Sequence, residues 1–367
     1  MNRRIFESAG AALALLVCLT GTAAAKELDQ FTDRLLELRY YDYGYRKVRG
    51  APRPREIDAL LDARMNELLD DLLENLREDM PQTAAERDEL VREVFQHPYL
   101  PTLITPYEEW VKHEAPVPLY KVRDKGIFGH AVDYDDMRMT WYIELSPILQ
   151  VSGVLMGIDK LGHFLAQGFT YYGQYQQLRA TLPSNVCAAA IRELGHEQEF
   201  GQLGIATGGV YSFADLAANW AGMMFFLALF EDIDVEGVKH ARYFERGGPQ
   251  GYRRVRDFHW SEYVTPDWDE VLNPAAAAKK KLADKVADNM NRRPAPKSED
   301  VPRLSICEHF LENPPAFLGR NTQLMRRTAY ALPGAAALVA PYPIDVRVMC
   351  DGRAPLPGLW TSKLPAD

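Results

Sequence analysis

Residues 157–168 read GIDKLGHFLAQG, and residues 210–222 read VYSFADLAANWAG. In the first stretch Asp159, His163 and Gln167 recur at every fourth position, and in the second Asp215 and Asn219 do the same. On an α-helix that spacing stacks each set along one face. One position beside each polar ladder runs a ladder of small residues: Gly162, Ala166 and Thr170, then Ala214, Ala218 and Gly222. Small side chains at this spacing let two helix backbones approach closely. The pattern predicts two helices in contact, with Asp159, His163, Asp215 and Asn219 facing one shared pocket in the most apolar part of the chain.

Around these segments, Val154 to Phe230 reads as a core of three helices, broken near Pro183 and again at Gly201, Gly204, Gly208 and Gly209. Leu216 to Phe230 is greasy, yet it falls short of the ~20 residues of a membrane span and carries Asn219. It is read as a buried helix, with peripheral membrane contact as the lesser alternative. Upstream, Ile57, Leu60, Leu61, Met65, Leu68, Leu69, Leu72, Leu73 and Leu76 repeat at three and four, the pattern of a long amphipathic helix. Thr83 followed by Glu86 forms a capping box that opens a second helix, closed by Pro98 and Pro101. Alternation over Met139 to Leu145 predicts a strand, paired as a hairpin with Val117 to Val122. Beyond Glu231 the chain turns rich in Tyr, Trp, Arg and Pro; a helix is expected from near Pro274 through Ala275 to Met290, followed by a linker at 292–302.

The expected class is mainly α: a multi-helix core with a small β-hairpin and a loop-rich C-terminal tail packed on it. Its segments are 1–25, a signal peptide; 26–115, amphipathic helices; 116–235, hairpin and core; and 236–367, the tail. Arg3 and Arg4, the apolar run Ala9 to Leu19 and Ala23-Ala24-Ala25 carry the signal reading and place the mature chain outside the cytoplasm, in the periplasm or an equivalent exported location. Removing residues 1–25 leaves 342 of the 367 and takes away Arg3, Arg4 and Glu7, so the formal charge moves from −9 to −10. An acidic balance argues against general nucleic-acid binding, which needs clustered basic surface. Of the cysteines left, Cys307 and Cys350 are expected to pair as a disulfide in the proline-rich tail, and Cys187 to be a buried free thiol.

Two carboxylates and an imidazole, Asp159, Asp215 and His163, are a donor set for a divalent metal, which could activate water for hydrolysis. Without metal, His163 beside a carboxylate is a candidate general base. Lys160 would then hold an anionic substrate group, with Asn219 and Gln167 completing the binding side. The structural alternative makes Asp159 a helix cap, Ser212 and Asp215 a Ser-x-x-acid helix start, and His163 and Asn219 hydrogen-bonded core residues. Glu193 and His196 have the step of a carboxylate-bridged di-iron helix, but no second such pair is present; with Glu197 they read as a charged helix end or as additional site members. Arg242, Arg246, Arg253, Arg254 and Arg256, interleaved with Tyr243, Phe244, Tyr252 and Phe258, suit lipid headgroups or phosphorylated glycans, or else pair within the chain. Ser146, Ser152 and Ser212 lack the glycine frame of a nucleophile elbow.

The order Asp159-Lys160, His163-Phe164, then Asp215, Asn219 and Gly222 resembles that of VanZ-like proteins and related YfiM-like exported envelope proteins, over about residues 154–230. The resemblance implies a helical envelope protein in which Asp159, His163, Asp215 and Asn219 cluster. Two functions follow from these residues. One is a non-enzymatic envelope protein that binds lipid, glycan or another protein, its ladders fixing helix packing. The other is a metal-dependent hydrolase of an envelope ester or phosphoester, with Asp159, His163 and Asp215 as ligands.

Overall fold

The computed structural model describes residues 54–97, 105–117, 148–201, 203–205, 210–247, 251–269, 275–277, 280–291 and 342–344. Within them the architecture is mainly α: seven helices joined by short antiparallel strands. α1 (Pro54–Asp79) follows the three-and-four repeat, which puts Ile57, Leu61, Met65, Leu68, Leu69, Leu72 and Leu76 on one buried face. Its polar side is a clasp. Asp58 accepts from the Ser152 amide at 2.8 Å and Asp62 from the Trp260 amide at 2.8 Å, while Asn66 trades bonds of 2.7 and 3.0 Å with the backbone of Phe258. A single helix thus orders both the core hairpin and the tail.

α2 (Ala84–Phe95) opens on the expected capping box: the Thr83 hydroxyl accepts from the Glu86 amide at 3.2 Å, and the Glu86 carboxylate accepts from the Thr83 amide at 3.0 Å. α3 (Pro106–His113) is capped by Thr105 and carries Pro at its first turn. The apolar stretch begins with strands rather than a helix. β1 (Ile148–Val151) and β2 (Val154–Gly157) pair in register around Ser152 and Gly153, whose φ angles of +49° and +81° make a two-residue turn matching the twist of the strands. The strand expected over 139–145, and with it the pairing to 117–122, lies outside the described residues.

Three helical stretches follow. α4 is made of Asp159–Gly162, a π-turn at His163–Gln167, and Gly168–Arg179. α5 (Ser184–Phe200) starts after Pro183. β3 (Val210–Ser212) leads into α6 (Phe213–Leu227), which is buried along almost its whole length, and none of the described helices is long and apolar enough to cross a membrane. Cys187 is a buried free thiol, as expected; Cys307 and Cys350 lie outside the described residues.

The tail packs on this core. β4 (Ile233–Val235) pairs with β5 (Val238–His240), and β6 (Phe244–Arg246) with β7 (Tyr252–Arg254). Phe258, Trp260, Tyr263 and Trp268 then close around Phe164, with ring centroids 5.0–6.3 Å from it. The helix expected from Pro274 starts later: Ala275–Ala277 is β8, paired with β3 and with β9 (Tyr342–Ile344), and α7 spans Lys280–Asn291. Alanines favour a helix in isolation, but here the edge of β3 offers them backbone partners.

Candidate functional site

α4 and α6 cross in contact, as the ladders predict, though the crossing is not shared evenly along them. It concentrates at Gly168 and Gly222. A Cβ on Gly222 would overlap the Phe164 carbonyl oxygen and come within 2.7 Å of its carbon and 2.9 Å of Gly168 Cα. Gly162 belongs to a different contact: a methyl there would overlap the carboxylate of Glu108 on α3.

At this crossing Asp159, Lys160, His163, Gln167, Asp215 and Asn219 are all buried. The Lys160 ammonium lies 3.1 Å from Asp159 Oδ2 and is bonded to Asp215 Oδ1. His163 Nε2 lies 3.5 Å from Asp215 Oδ2, and its Nδ1 lies 2.9 Å from Asn219 Oδ1. A carbonyl oxygen only accepts, so Nδ1 is the donor in this bond. Asn219 is oriented in turn by its Nδ2, which donates to the Tyr171 hydroxyl at 3.2 Å. His163, at 9% exposure, is the member of the network nearest to water; Lys160, Asp215 and Asn219 are at 0%.

Asp159 does not cap its helix: it is the first residue of the helix, and the cap position is held by Ile158, which makes no side-chain cap bond. Asp215 does sit in a capped turn: the Ser212 hydroxyl accepts from its amide at 3.2 Å, and the positive end of α6 favours its charge. Burial holds the Asp159 carboxyl above the ordinary range, with Lys160 opposing that rise and Asp215 adding to it.

Of the three residues flagged on α5, Glu193 and Glu197 are exposed and His196 is buried against Tyr211, its ring nitrogen bonded to the phenol. The residue that joins the network is Glu199, one turn on. It is fully buried, accepts from the Ser212 amide at 3.1 Å, and is raised well above the ordinary carboxylate range by burial first and by Asp215 next. Such a group holds its proton more firmly in the folded than in the unfolded chain. The stability it supports is full at low pH and falls as pH rises through and above the ordinary glutamate range. Glu199→Gln keeps the shape and the acceptor for Ser212 while removing the ionisation. The variant is expected to lose less stability than the parent chain between about pH 5 and pH 8, measured by chemical denaturation at each pH.

The arginines of the tail are spent within the chain. Arg242 binds Asp232 with a closest approach of 2.6 Å, Arg253 binds Glu245, Arg254 reaches Asp70 at 2.7 Å, and Arg256 binds Glu262 at 2.8 Å while lying over the Tyr243 ring. Arg246 reaches Gln82 at 3.1 Å. Ser146 lies outside the described residues; Ser152 belongs to a turn and Ser212 to a cap.

Set against models of protein families, curated proteins and solved structures, the chain matches none. What the site can do is therefore argued from its own atoms. One nitrogen of His163 and one oxygen of each of Asp159 and Asp215 lie within 4.8 Å of one another, a spacing that a divalent cation can bridge. The same carboxylates already carry an internal cation, Lys160.

Proposed function

We propose that the chain is a non-enzymatic exported protein of the cell envelope, in which the Asp159–Lys160–His163–Asp215–Asn219 network fixes the crossing of two helices rather than performing chemistry. The observation that carries this reading is the Lys160 ammonium, fully buried and bonded to both Asp159 and Asp215. It already supplies the positive charge that the two carboxylates would otherwise offer a metal, and a lysine buried in this way is not offered to a substrate anion. Export is supported by Arg3, Arg4, the apolar run Ala9 to Leu19 and the small residues at 23–25. The resemblance to VanZ-like and YfiM-like proteins points the same way. Contact with an envelope component, whether lipid, glycan or protein, falls to the tail, where Arg253 and Arg242, although paired with Glu245 and Asp232, keep 66% and 41% of their side chains exposed.

A metal-dependent hydrolase is the second reading, favoured by one specific observation. Asn219 accepts from Nδ1 of His163 and so orients the ring with Nε2 toward Asp215, as the outer partner of a metal-bound histidine does. In that case Asp159, His163 and Asp215 are the ligands, and the ion would polarise a carbonyl or phosphoryl oxygen and lower the pKa of bound water.

Metal analysis of the purified mature chain beside an Asp159→Ala/His163→Ala variant separates the two. The proposal expects both to be metal-free, with the variant melting earlier. Stoichiometric metal in the parent chain that is lost in the variant would overturn it in favour of the hydrolase.

A further inference from the structure

His163 and Tyr171 are eight residues apart, yet both bond the same amide, that of Asn219. On a continuous α-helix residues eight apart point about 80° away from each other, while residues seven apart differ by only about 20°. The π-turn resolves this. The Gly168 amide donates to His163 O, five residues back, so the turn takes up one residue more than an α-turn, and His163 and Tyr171 stand as though seven apart.

A π-turn is rare within an α-helix and needs a reason to persist. Two are visible. Gly222 has no side chain where the Phe164 carbonyl presses toward α6. From the other side Gln96, at the end of α2 and 3% exposed, donates from Nε2 to the Leu165 carbonyl at 3.0 Å. A glutamine in the core is costly to bury for a single bond unless that bond holds something.

We propose that the π-turn is a register device that sets His163 and Tyr171 on one side of α4, and that Gln96 is the positioning residue that keeps the device open. Without the Gln96 amide, the turn closes to α geometry, the two segments of α4 rotate against each other, and His163 leaves Asn219 while Tyr171 stays. The device stands whichever of the two functions the network serves, because it concerns where the imidazole points.

Gln96→Met keeps the length of the side chain and removes the donor. In the folded variant the ring Nδ1–H of His163, followed by nitrogen-edited NMR, is expected to exchange with water roughly tenfold faster or more, the change that losing one hydrogen bond brings. A resonance at the parent position and exchange rate would overturn the proposal. Should Gln96→Met fail to fold, two measurements still decide. In the parent chain the Gln96 side-chain amide is expected to exchange slowly and to show cross-peaks to Leu165 and Ala166; exchange at the solvent rate overturns the assignment. Deleting Ala166 removes the extra residue of the turn and leaves His163 and Tyr171 truly seven apart on a plain α-helix, so the folded variant is expected to keep the His163–Asn219 signal without the π-turn, and loss of that signal in a folded helical chain overturns the register argument.

Discussion

Gly222→Ala is expected to destabilise the fold by about 3 kcal/mol or more, the upper end of what overpacking costs. The new methyl meets backbone on both fronts, the Phe164 carbonyl and Gly168 Cα, and backbone cannot swing aside as a flexible side chain can. Relief requires α4 and α6 to separate, which loosens Phe164 from Phe225, Trp260 and Tyr263, and draws His163 off Asn219. Gly173→Ala is the control. It lies on α4, the partner helix, with nothing within 4 Å of a built Cβ, so alanine there is expected to add about 0.5–1 kcal/mol through helix propensity and a less free unfolded chain. Chemical denaturation of both variants checks this, and a Gly222→Ala loss no larger than ~1 kcal/mol would mean that the crossing is looser than described.

Lys160→Met is expected to cost about 3–5 kcal/mol at neutral pH, because it leaves two buried carboxylates without their cation. In a chain of this size that is a fall in melting temperature on the order of 10 °C. The loss has a pH signature. Asp159 is already held above the ordinary carboxylate range with Lys160 present, so the folded state binds the proton more readily than the unfolded one, and the stability tied to that group declines as pH rises. Acidification is therefore expected to return part of what Lys160→Met removes. Adding Asp159→Asn and Asp215→Asn to Lys160→Met is expected to restore most of the stability at neutral pH, since a neutral core of similar volume carries no unpaired charge. Thermal unfolding of the single and triple variants at two pH values tests both statements.

The helices of this fold were legible because their signals are local and periodic. The leucine repeat of α1, the Thr83–Glu86 box and the break at Pro183 each state their element in a few residues. So were Asp159, His163, Asp215 and Asn219 as neighbours, because two four-residue ladders in apolar surroundings have few other places to go. The hairpin at 148–157 was missed because its strands are four residues long and apolar but for Gln150, and such runs look like helix until the turn is noticed; Ser152-Gly153 carried that signal.

Glu199 shares the buried face of α5 with Ala188, Ile191, Gly195 and His196, whereas Glu193 and Glu197 lie off it. The period of that helix pointed to Glu199, and a motif-based step pointed to Glu193. Tyr171 was hidden for a deeper reason. Straight α periodicity places it about 80° from His163, and only the π-turn, whose support comes from Gln96 in another helix and Gly222 in a third, brings the two together. Likewise, the apolar repeat of α1 gave no sign of the roles of Asp58, Asp62 and Asn66, because their partners, Ser152, Trp260 and Phe258, come from far along the chain.

Nitrogen-detected NMR of the Lys160 side chain, before and after adding Zn2+ or Mg2+ to the mature chain, puts the whole arrangement to the test. The expected spectrum shows a slowly exchanging ammonium with through-bond couplings to the carboxyl groups of both Asp159 and Asp215, unchanged by either ion. A Lys160 signal that is displaced or released to solvent as one equivalent of metal binds would contradict it, and would place the ion, not the lysine, between the two acids.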